Sequence, residues 1–160
     1  MGLKNLCARV AVIGSSAVLA SGMAIGEASA TSTNIDYWST STAPVRCARA
    51  MCLYYSPGAE GAIWQNGLSG AYDLGYWSFY DDHAPNSNSS AGAGQAVRNN
   101  AASAENGSVN CTMSIYVYPG GYGDVNVLDP GRGGNLTSGM RNNEASVNPE
   151  DWASNVGWCQ

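Results

Sequence analysis

The sequence of 160 residues has little charge of either sign and almost no lysine. Only 12% of its residues are charged, and the single lysine, Lys4, lies near the start of the chain. After residue 30, five arginines face eleven carboxylates, which gives a formal charge of −6. Because a chain without a basic surface binds polyanions poorly, nucleic acid and anionic membranes are excluded as expected partners.

The sequence also lacks the residue patterns that hydrolytic enzymes commonly need. Its one histidine, His83, follows Asp81 and Asp82, and no G-x-S-x-G element is present. Adjacent acids and a histidine in a polar turn are usually solvated, whereas general acid–base chemistry requires a cleft. We therefore expect no catalytic residue and no enzymatic activity. We also expect no cofactor, with weakly bound calcium as the one alternative.

Long hydrophobic runs are absent, even in the apolar N-terminal segment. A basic stretch precedes the largely apolar residues 10–20, and Ala28-Ser29-Ala30 has the small-residue pattern of a cleavage site. The apolar stretch is shorter than the roughly 18 residues of a membrane span. Residues 1–30 are therefore predicted to be a secretory signal peptide, so that the mature chain begins at Thr31 and is secreted without a membrane partner. A retained N-terminal anchor is the alternative.

Four cysteines follow this segment: Cys47, Cys52, Cys111 and Cys159. An even number in an exported chain indicates two disulfides, for which three pairings are possible. We favour Cys47–Cys52 as a local bridge. Cys111–Cys159 would then tie back the C-terminal tail, residues 149–160. A zinc site is disfavoured because paired C-x-x-C spacing is missing.

The rest of the chain is long enough for one domain and is rich in Gly, Asn, Ser and Ala, which favours a loop-rich β structure. Residues 31–45 are predicted to be a flexible lead-in. The domain spans 46–148, with one unit over 47–105 and a second over 111–147. β-branched and aromatic segments bounded by turn residues predict strands over 52–55, 62–65, 113–118 and 125–128.

The segments between these strands have other characters. Residues 72–80 are aromatic and predict either a third strand or a tight corner, and residues 83–94 predict an exposed loop. The glycine-rich residues 129–134 predict a turn. Residues 149–152 predict a short turn of helix, because proline and acids suit a first helical turn.

Two stretches of the sequence are present twice and in the same order. Residues 53–61 return as 115–123, with tyrosine, proline and both glycines in register, and 97–104 return as 140–147. The glycines are expected to provide either positive φ or a close backbone approach at a folded-over hairpin, which a Cβ would obstruct. A single unit of this size cannot bury both faces of its strands, so the two units are predicted to pack against each other.

The duplicated pattern resembles the βγ-crystallin Greek key. In each copy an aromatic residue precedes a turn glycine (Tyr54 and Gly61, Tyr116 and Gly123), and an Asn-Asn-x-x-Ser corner follows a β segment. With the export signal and the early cysteine pair, the chain looks most like the secreted Streptomyces-type metalloproteinase inhibitor family. The resemblance implies an all-β fold of two Greek-key motifs in a two-sheet sandwich, stabilised by disulfides. It also implies a protein that binds and inhibits an extracellular protease. We expect this protein to be a monomer.

The Asn-Asn-x-x-Ser corners resemble the calcium sites of crystallin-type domains. The resemblance gives these candidate ligands: Asn99, Asn100, Ser103, Asn142, Asn143 and Ser146. Each corner lacks an acid at its second position and a second serine at its end, so any calcium binding is expected to be weak. In the alternative interpretation, these side chains satisfy backbone groups at the entry to a strand.

No inhibitory residue follows from the resemblance, because the second short-range cysteine pair that brackets the family's reactive loop is missing. The candidate inhibitory surfaces are residues 106–111 and the 83–94 loop. The alternative function is a non-catalytic structural module or one that binds cell surfaces or carbohydrate. Its candidate stacking residues are four tryptophans: Trp38, Trp77, Trp152 and Trp158.

Overall fold

The structure is a computed structural model that describes residues 29–40, 47, 51–83 and 88–151. These residues form nine β-strands and one short 3₁₀ helix, Leu74–Tyr76. Within these ranges, no helix has the length and apolar character needed to cross a membrane. The strands are, in chain order, β1 Ser32–Asn34, β2 Trp38–Ser39, β3 Met51–Ser56, β4 Glu60–Asn66, β5 Ser103–Asn106, β6 Cys111–Tyr118, β7 Tyr122–Leu128, β8 Arg132–Asn135 and β9 Ser146–Asp151.

The strands form two sheets, with the orders β1-β7-β6-β9 and β2-β8-β5-β3-β4. β3 forms an antiparallel hairpin with β4 and pairs on its other side with β5; β6 pairs in the same way with β7 and β9. β8 belongs to the second unit but pairs with β5 of the first. In the opposite direction, Ala71 of the first unit forms a β-bridge with Val147 in β9 of the second. Each unit is thus a Greek key that gives one segment to the other sheet, and the predicted all-β sandwich is confirmed.

The apolar positions that the two copies share form the core. These equivalent buried pairs are Leu53 and Ile115, Val97 and Met140, and Ala104 and Val147. Trp64, Phe79 and Leu128 complete the same cluster. Burying one large side chain of this kind contributes about 1.5–3 kcal/mol. The duplication therefore supplies matched apolar faces, and packing the units together removes both faces from water.

The predicted positive φ at the hairpin glycines is confirmed in both copies. The φ angles are 74° and 76° at Gly58 and Gly61, and 79° and 82° at Gly120 and Gly123. A Cβ at Gly123 would lie 2.5 Å from Cγ2 of Val117. Both hairpins also contain a register shift, just before the turn. The repeated sequence therefore specifies a repeated bend, which residues with a Cβ would obstruct.

The prediction of a flexible lead-in over 31–45 is wrong for residues 31–40. β1 pairs in parallel with β7, β2 pairs with β8, and Ile35 between them is buried in the core. This path depends on Gly133 and Gly134, since a Cβ on Gly134 would lie 1.8 Å from the backbone oxygen of Ile35. The Thr- and Ser-rich composition of the segment does not reveal the strands that receive it. Residues 41–45 lie outside the described residues.

Two further local predictions are corrected. The predicted turn over 129–134 ends early, because Arg132–Asn135 is a strand whose glycines admit the N-terminal segment. The predicted helical turn over 149–152 is instead the end of β9, in which Pro149 pairs with Met113. Proline is tolerated there because β9 is the last strand in its sheet's order and the bridge to Ala71 is made at Val147, so no N–H is needed on the outer side at position 149. Trp152 lies outside the described residues.

The predicted Cys47–Cys52 disulfide is confirmed, with the two Cα atoms 5.9 Å apart. Cys52 is the second residue of β3, so the bridge fixes Cys47, four residues before that strand, to the sheet. Cys111, the first residue of β6, is also disulfide-bonded. Its predicted partner, Cys159, lies outside the described residues, as does the tail from residue 152.

Candidate functional site

The two Asn-Asn-x-x-Ser corners lie against each other and join the units. The backbone N–H of Asn99 donates to the backbone carbonyl oxygen of Glu144 at 2.9 Å, and the backbone N–H of Asn142 donates to the backbone carbonyl oxygen of Ala101 at 3.0 Å. Both asparagines have left-handed backbone, with φ of 63° and 57°. Asparagine adopts this region more readily than most residues. Equivalent residues of the two copies thus make equivalent bonds across the contact.

The serines of the corners close the folded-over hairpins. The Ser103 hydroxyl donates to the oxygen of Ser56 at 2.6 Å and accepts the N–H of Ala59 at 3.0 Å. The Ser146 hydroxyl does the same with the oxygen of Tyr118 and the N–H of Gly121. Each serine therefore satisfies two backbone groups that the bend leaves without strand partners.

The second asparagines also bind backbone. Nδ2 of Asn100 donates to the oxygen of Ala96 at 3.0 Å, and Nδ2 of Asn143 donates to the oxygen of Gly139 at 3.1 Å. Among the described residues, no group of three or more His, Cys, Asp or Glu side chains is placed to hold a metal ion. Calcium binding by the six predicted residues stays a prediction.

Glu144 is the residue at this contact that the sequence interpretation missed. Its side chain is fully buried, and Oε1 accepts the N–H groups of Asn100 and Ala101 at 3.0 and 2.8 Å. Oε2 accepts the N–H of Asn143 at 3.1 Å. The first copy has Ala101 at the equivalent position, so a comparison of the two copies could have drawn attention to Glu144. Glu144 is their one charged difference in this corner.

The pH dependence of stability is expected to report on Glu144. Burial raises the pKa of its carboxyl from 4.5 to about 7, against the opposing effect of the N–H groups of Ala101, Asn100 and Asn143. The folded chain therefore binds this proton more tightly than the unfolded chain. The contribution is fully present below pH 4.5 and is lost as pH rises through 7. A shift of this size corresponds to at most about 3 kcal/mol.

The measurement is the free energy of unfolding in urea between pH 4 and 8, compared between the wild type and Glu144→Gln. The wild type is expected to lose more stability across this window, because glutamine does not titrate. Glu150→Gln, which alters an exposed side chain of β9, should retain the wild-type profile. Identical profiles for wild type and Glu144→Gln would contradict the assignment.

A second surface, the aromatic corner, consists of Tyr72, Tyr76, Trp77 and Tyr80. Their exposed fractions lie between 44% and 87%. The 3₁₀ helix Leu74–Tyr76 organises the corner: Asp73 caps it by accepting the N–H of Gly75 at 2.8 Å. Leu74 is buried and donates its N–H to the oxygen of Ala145 at 2.8 Å. One anchored residue thus holds the neighbouring aromatic rings at the surface.

Packing beneath the aromatic corner fixes its shape. The ring of Trp77 meets buried Trp64 edge-on, with centroids 6.2 Å apart. The hydroxyl of Tyr80 donates to Gln65 at 3.2 Å, and Arg98 lies 3.5 Å from Asp73. In the part of the chain that the structure describes, two buried side-chain atoms lack a hydrogen-bond partner: Trp64 Nε1 and Arg98 Nε. Both belong to residues that support this corner.

The exposed aromatic area extends toward the β6–β7 hairpin. Ring atoms of Tyr72 would lie 3.0 Å from a Cβ at Gly120, the tip of that hairpin. Tyr118 and Tyr122 are paired across the hairpin and are 61% and 68% exposed. Residues directly opposite each other on paired strands project from the same face. Two further exposed tyrosines therefore lie on the hairpin whose tip Tyr72 approaches.

Of the four predicted stacking tryptophans, the structure places Trp77 at this surface. Trp38 is half-buried, and its indole N–H donates to Glu105 at 2.9 Å, so it anchors the N-terminal segment. Trp152 and Trp158 lie outside the described residues. The tyrosines that dominate the aromatic corner were absent from the prediction, because sequence alone did not separate exposed from buried rings.

The predicted inhibitory segments have ordinary structural contacts. In 106–111, buried Asn106 donates its side-chain amide to the oxygens of Cys111 and Leu128, at 2.7 and 3.0 Å. In the 83–94 loop, the oxygen of Ala91 accepts the N–H of Ala62 at 2.8 Å, so this part packs on β4; residues 84–87 lie outside the described residues. His83 is exposed in a turn capped by Asp81, whose carboxylate accepts its N–H at 2.8 Å.

Comparison with known proteins gives one structural likeness. No family model and no curated protein matches the chain. The chain is similar to a solved structure described as "Evolution of the eye lens beta-gamma-crystallin domain fold", with 13% sequence identity and a TM-score of 0.49. The match covers 67% of this chain and 90% of the other. The resemblance to metalloproteinase inhibitors gains no support from these comparisons.

Proposed function

We propose that this protein is a non-catalytic βγ-crystallin-like module that binds neutral polysaccharide through the aromatic corner. One observation supports this proposal above all. Four aromatic side chains are exposed in the nine-residue segment 72–80, which contains the anchored 3₁₀ turn: Tyr72, Tyr76, Trp77 and Tyr80. Soluble proteins rarely display contiguous large apolar groups without a binding role. The electron-rich face of an aromatic ring attracts C–H groups, which sugar rings present on their flat faces.

The charge of the chain narrows the class of polysaccharide. The −6 charge after residue 30 disfavours strongly anionic glycans through long-range repulsion. Chitin and cellulose are neutral chains whose β-linked sugars offer flat apolar faces. The polar groups around the rings, including the Asp73 and Arg98 pair and the tyrosine hydroxyls, suit sugar hydroxyl groups. Neutral β-linked polysaccharide is therefore the proposed ligand.

Export is part of the proposal. The signal-peptide pattern of residues 1–30 and the Cys47–Cys52 disulfide both favour an oxidising, extracellular location, where such polysaccharides occur. Inhibition of an extracellular metalloprotease stays a prediction. The contacts described for the two candidate inhibitory segments, 106–111 and 83–94, do not favour it.

The proposal predicts retention on insoluble chitin or cellulose that depends on the aromatic corner. The double variant Tyr72→Ala/Tyr76→Ala should bind about tenfold more weakly or worse, since each ring contact contributes about 0.5–1.5 kcal/mol. Depletion isotherms with purified protein measure the affinity, and peptidoglycan provides a third surface. Tyr76 is 87% exposed, so its loss should leave the melting temperature nearly unchanged.

The matched control is Tyr37→Ala, because Tyr37 is as exposed as Tyr72 but lies on the N-terminal segment. This variant should bind like the wild type. Wild-type protein that stays in solution with both chitin and cellulose would refute the proposed function, whether or not it binds peptidoglycan. If Tyr37→Ala lost binding to the same extent, the aromatic corner would not be the binding site.

A further inference from the structure

The first residue after the predicted cleavage site is held by a carboxylate. The N–H of Thr31 donates to Oδ1 of Asp124 at 2.8 Å, and the oxygen of Thr31 accepts the N–H of Val125 at 2.9 Å. These two bonds begin the parallel pairing of β1 with β7, which continues from Ser32 to Asn34. The pattern Ala28-Ser29-Ala30 ends immediately before Thr31. Sequence and structure therefore mark the same residue independently.

We propose that cleavage between Ala30 and Thr31 converts this hydrogen bond into an ion pair that fixes the edge strand β1. A peptidase adds water across the peptide bond, so the new carboxylate leaves with Ala30 and the amine remains on Thr31. At neutral pH this amine takes up a proton. The ammonium group then faces Asp124, and hydrogen bonds between two charged groups are stronger than those between neutral groups. The proposal rests on the export of the proposed function.

The surroundings of Asp124 suit an arriving cation. The ion pairs among the described residues are Arg98 with Asp73 and His83 with Asp81, so Asp124 has no cationic partner there. Thr31 and Asp124 are both exposed, which keeps the terminus hydrated while it pairs. β1 has only three residues and lies at the edge of its sheet, so few other contacts hold the beginning of the strand in place.

A cleft beside the pair changes with the cleavage. It has a volume of about 200 Å³ and is lined by Ser29, Ala30, Val117, Tyr118, Gly123 and Asp124. Removal of Ser29 and Ala30 takes away one wall. The titratable groups that face the new amine across this cleft are then Asp124 from β7 and Tyr118 from β6. Cleavage therefore both creates the cation and exposes more of Tyr118.

The chain offers a selective probe for this amine. Because residues 31–160 contain no lysine, the terminal amine is the only amine of the processed protein. Reductive methylation with ¹³C-formaldehyde would place one labelled group on the exported protein, and NMR would follow its titration. We expect a pKa about half a pH unit above the ordinary range of about 7.7–8.0, as for a modest surface ion pair. Asp124→Asn should return it to that range.

Two further measurements do not depend on that variant. N-terminal sequencing of the exported protein should give Thr31 as the first residue, and a different start would overturn the proposal. Raising the salt concentration to 1 M should lower the pKa of the labelled amine toward its ordinary range, because salt screens exposed charges. An amine that titrates normally in the wild type, at low salt, would also overturn it. None of these measurements depends on polysaccharide binding. A protein that does not bind polysaccharide could therefore still form the ion pair, and the two proposals can fail separately.

Discussion

Replacing Glu144 with alanine is expected to destabilise the protein by about 3–5 kcal/mol, although the first copy of the repeat has alanine at this position. The carboxylate accepts three backbone N–H groups at a buried contact. Each buried donor left without a partner costs about 1–3 kcal/mol. Alanine also leaves a space between the units. The two corners are not symmetric in chemistry: one carboxylate serves donors from both copies.

Urea unfolding at pH 6 measures this effect, since the pKa near 7 leaves the carboxyl largely protonated there and limits the cost of the buried charge. The matched control is Glu150→Ala, which removes an exposed carboxylate that accepts the Tyr116 hydroxyl. It should cost less than about 1 kcal/mol, as is typical of surface hydrogen bonds. A Glu144→Ala protein as stable as this control would show that Glu144 does not hold the units together.

Replacing Gly134 with alanine is expected to displace the N-terminal segment and to destabilise the protein by about 3 kcal/mol. The new Cβ would meet the backbone oxygen of Ile35 at 1.8 Å and its carbonyl carbon at 2.9 Å. Backbone atoms cannot turn aside as a flexible side chain can, so the segment must move. Ile35 would then leave the core, at a cost of about 1.5–3 kcal/mol, and Trp38 would lose its bond to Glu105.

Two readouts separate displacement from general unfolding. Trp38 should become more exposed, which shifts tryptophan fluorescence to longer wavelength, and limited proteolysis should cut within residues 31–40 while the rest of the domain survives. The control is Gly139→Ala, because a Cβ at Gly139 would have no heavy atom within 4 Å. That variant should behave like the wild type. A folded Gly134→Ala protein with a protected N-terminal segment would contradict the expected clash.

Much of the fold could be predicted because the duplication specifies local and global structure together. The glycines at 58, 61, 120 and 123 bend the hairpins, and the repeated apolar residues fill the core. The strand at 52–55 is predicted from its two tyrosines, and the strand at 113–118 from its β-branched and aromatic residues. These features depend on local backbone conformation and on which side chains avoid water, and both are recorded in the order of residues.

The candidate site could be predicted less well. The sequence predicts Trp77 and the Asn-Asn-x-x-Ser corners as candidates, but the exposure of Tyr72 and Tyr76 depends on the turn that Leu74 anchors. Glu144 looks like an ordinary charged residue in the sequence, since two of its three partners lie 43 and 44 residues away in the chain. Contacts of this range arise only when the units pack, so no local pattern announces them.

The sequence by itself determined the repeated unit, its bent hairpins and its apolar faces, because these follow from steric limits at glycine and from the burial of shared apolar positions. Only the tertiary structure decided where the N-terminal segment runs, which aromatic rings remain exposed and why a carboxylate lies between the copies. Each depends on surfaces that exist only after the two units meet. The Gly133-Gly134 pair shows the difference: its composition suggests a turn, yet its lack of side chains admits another strand.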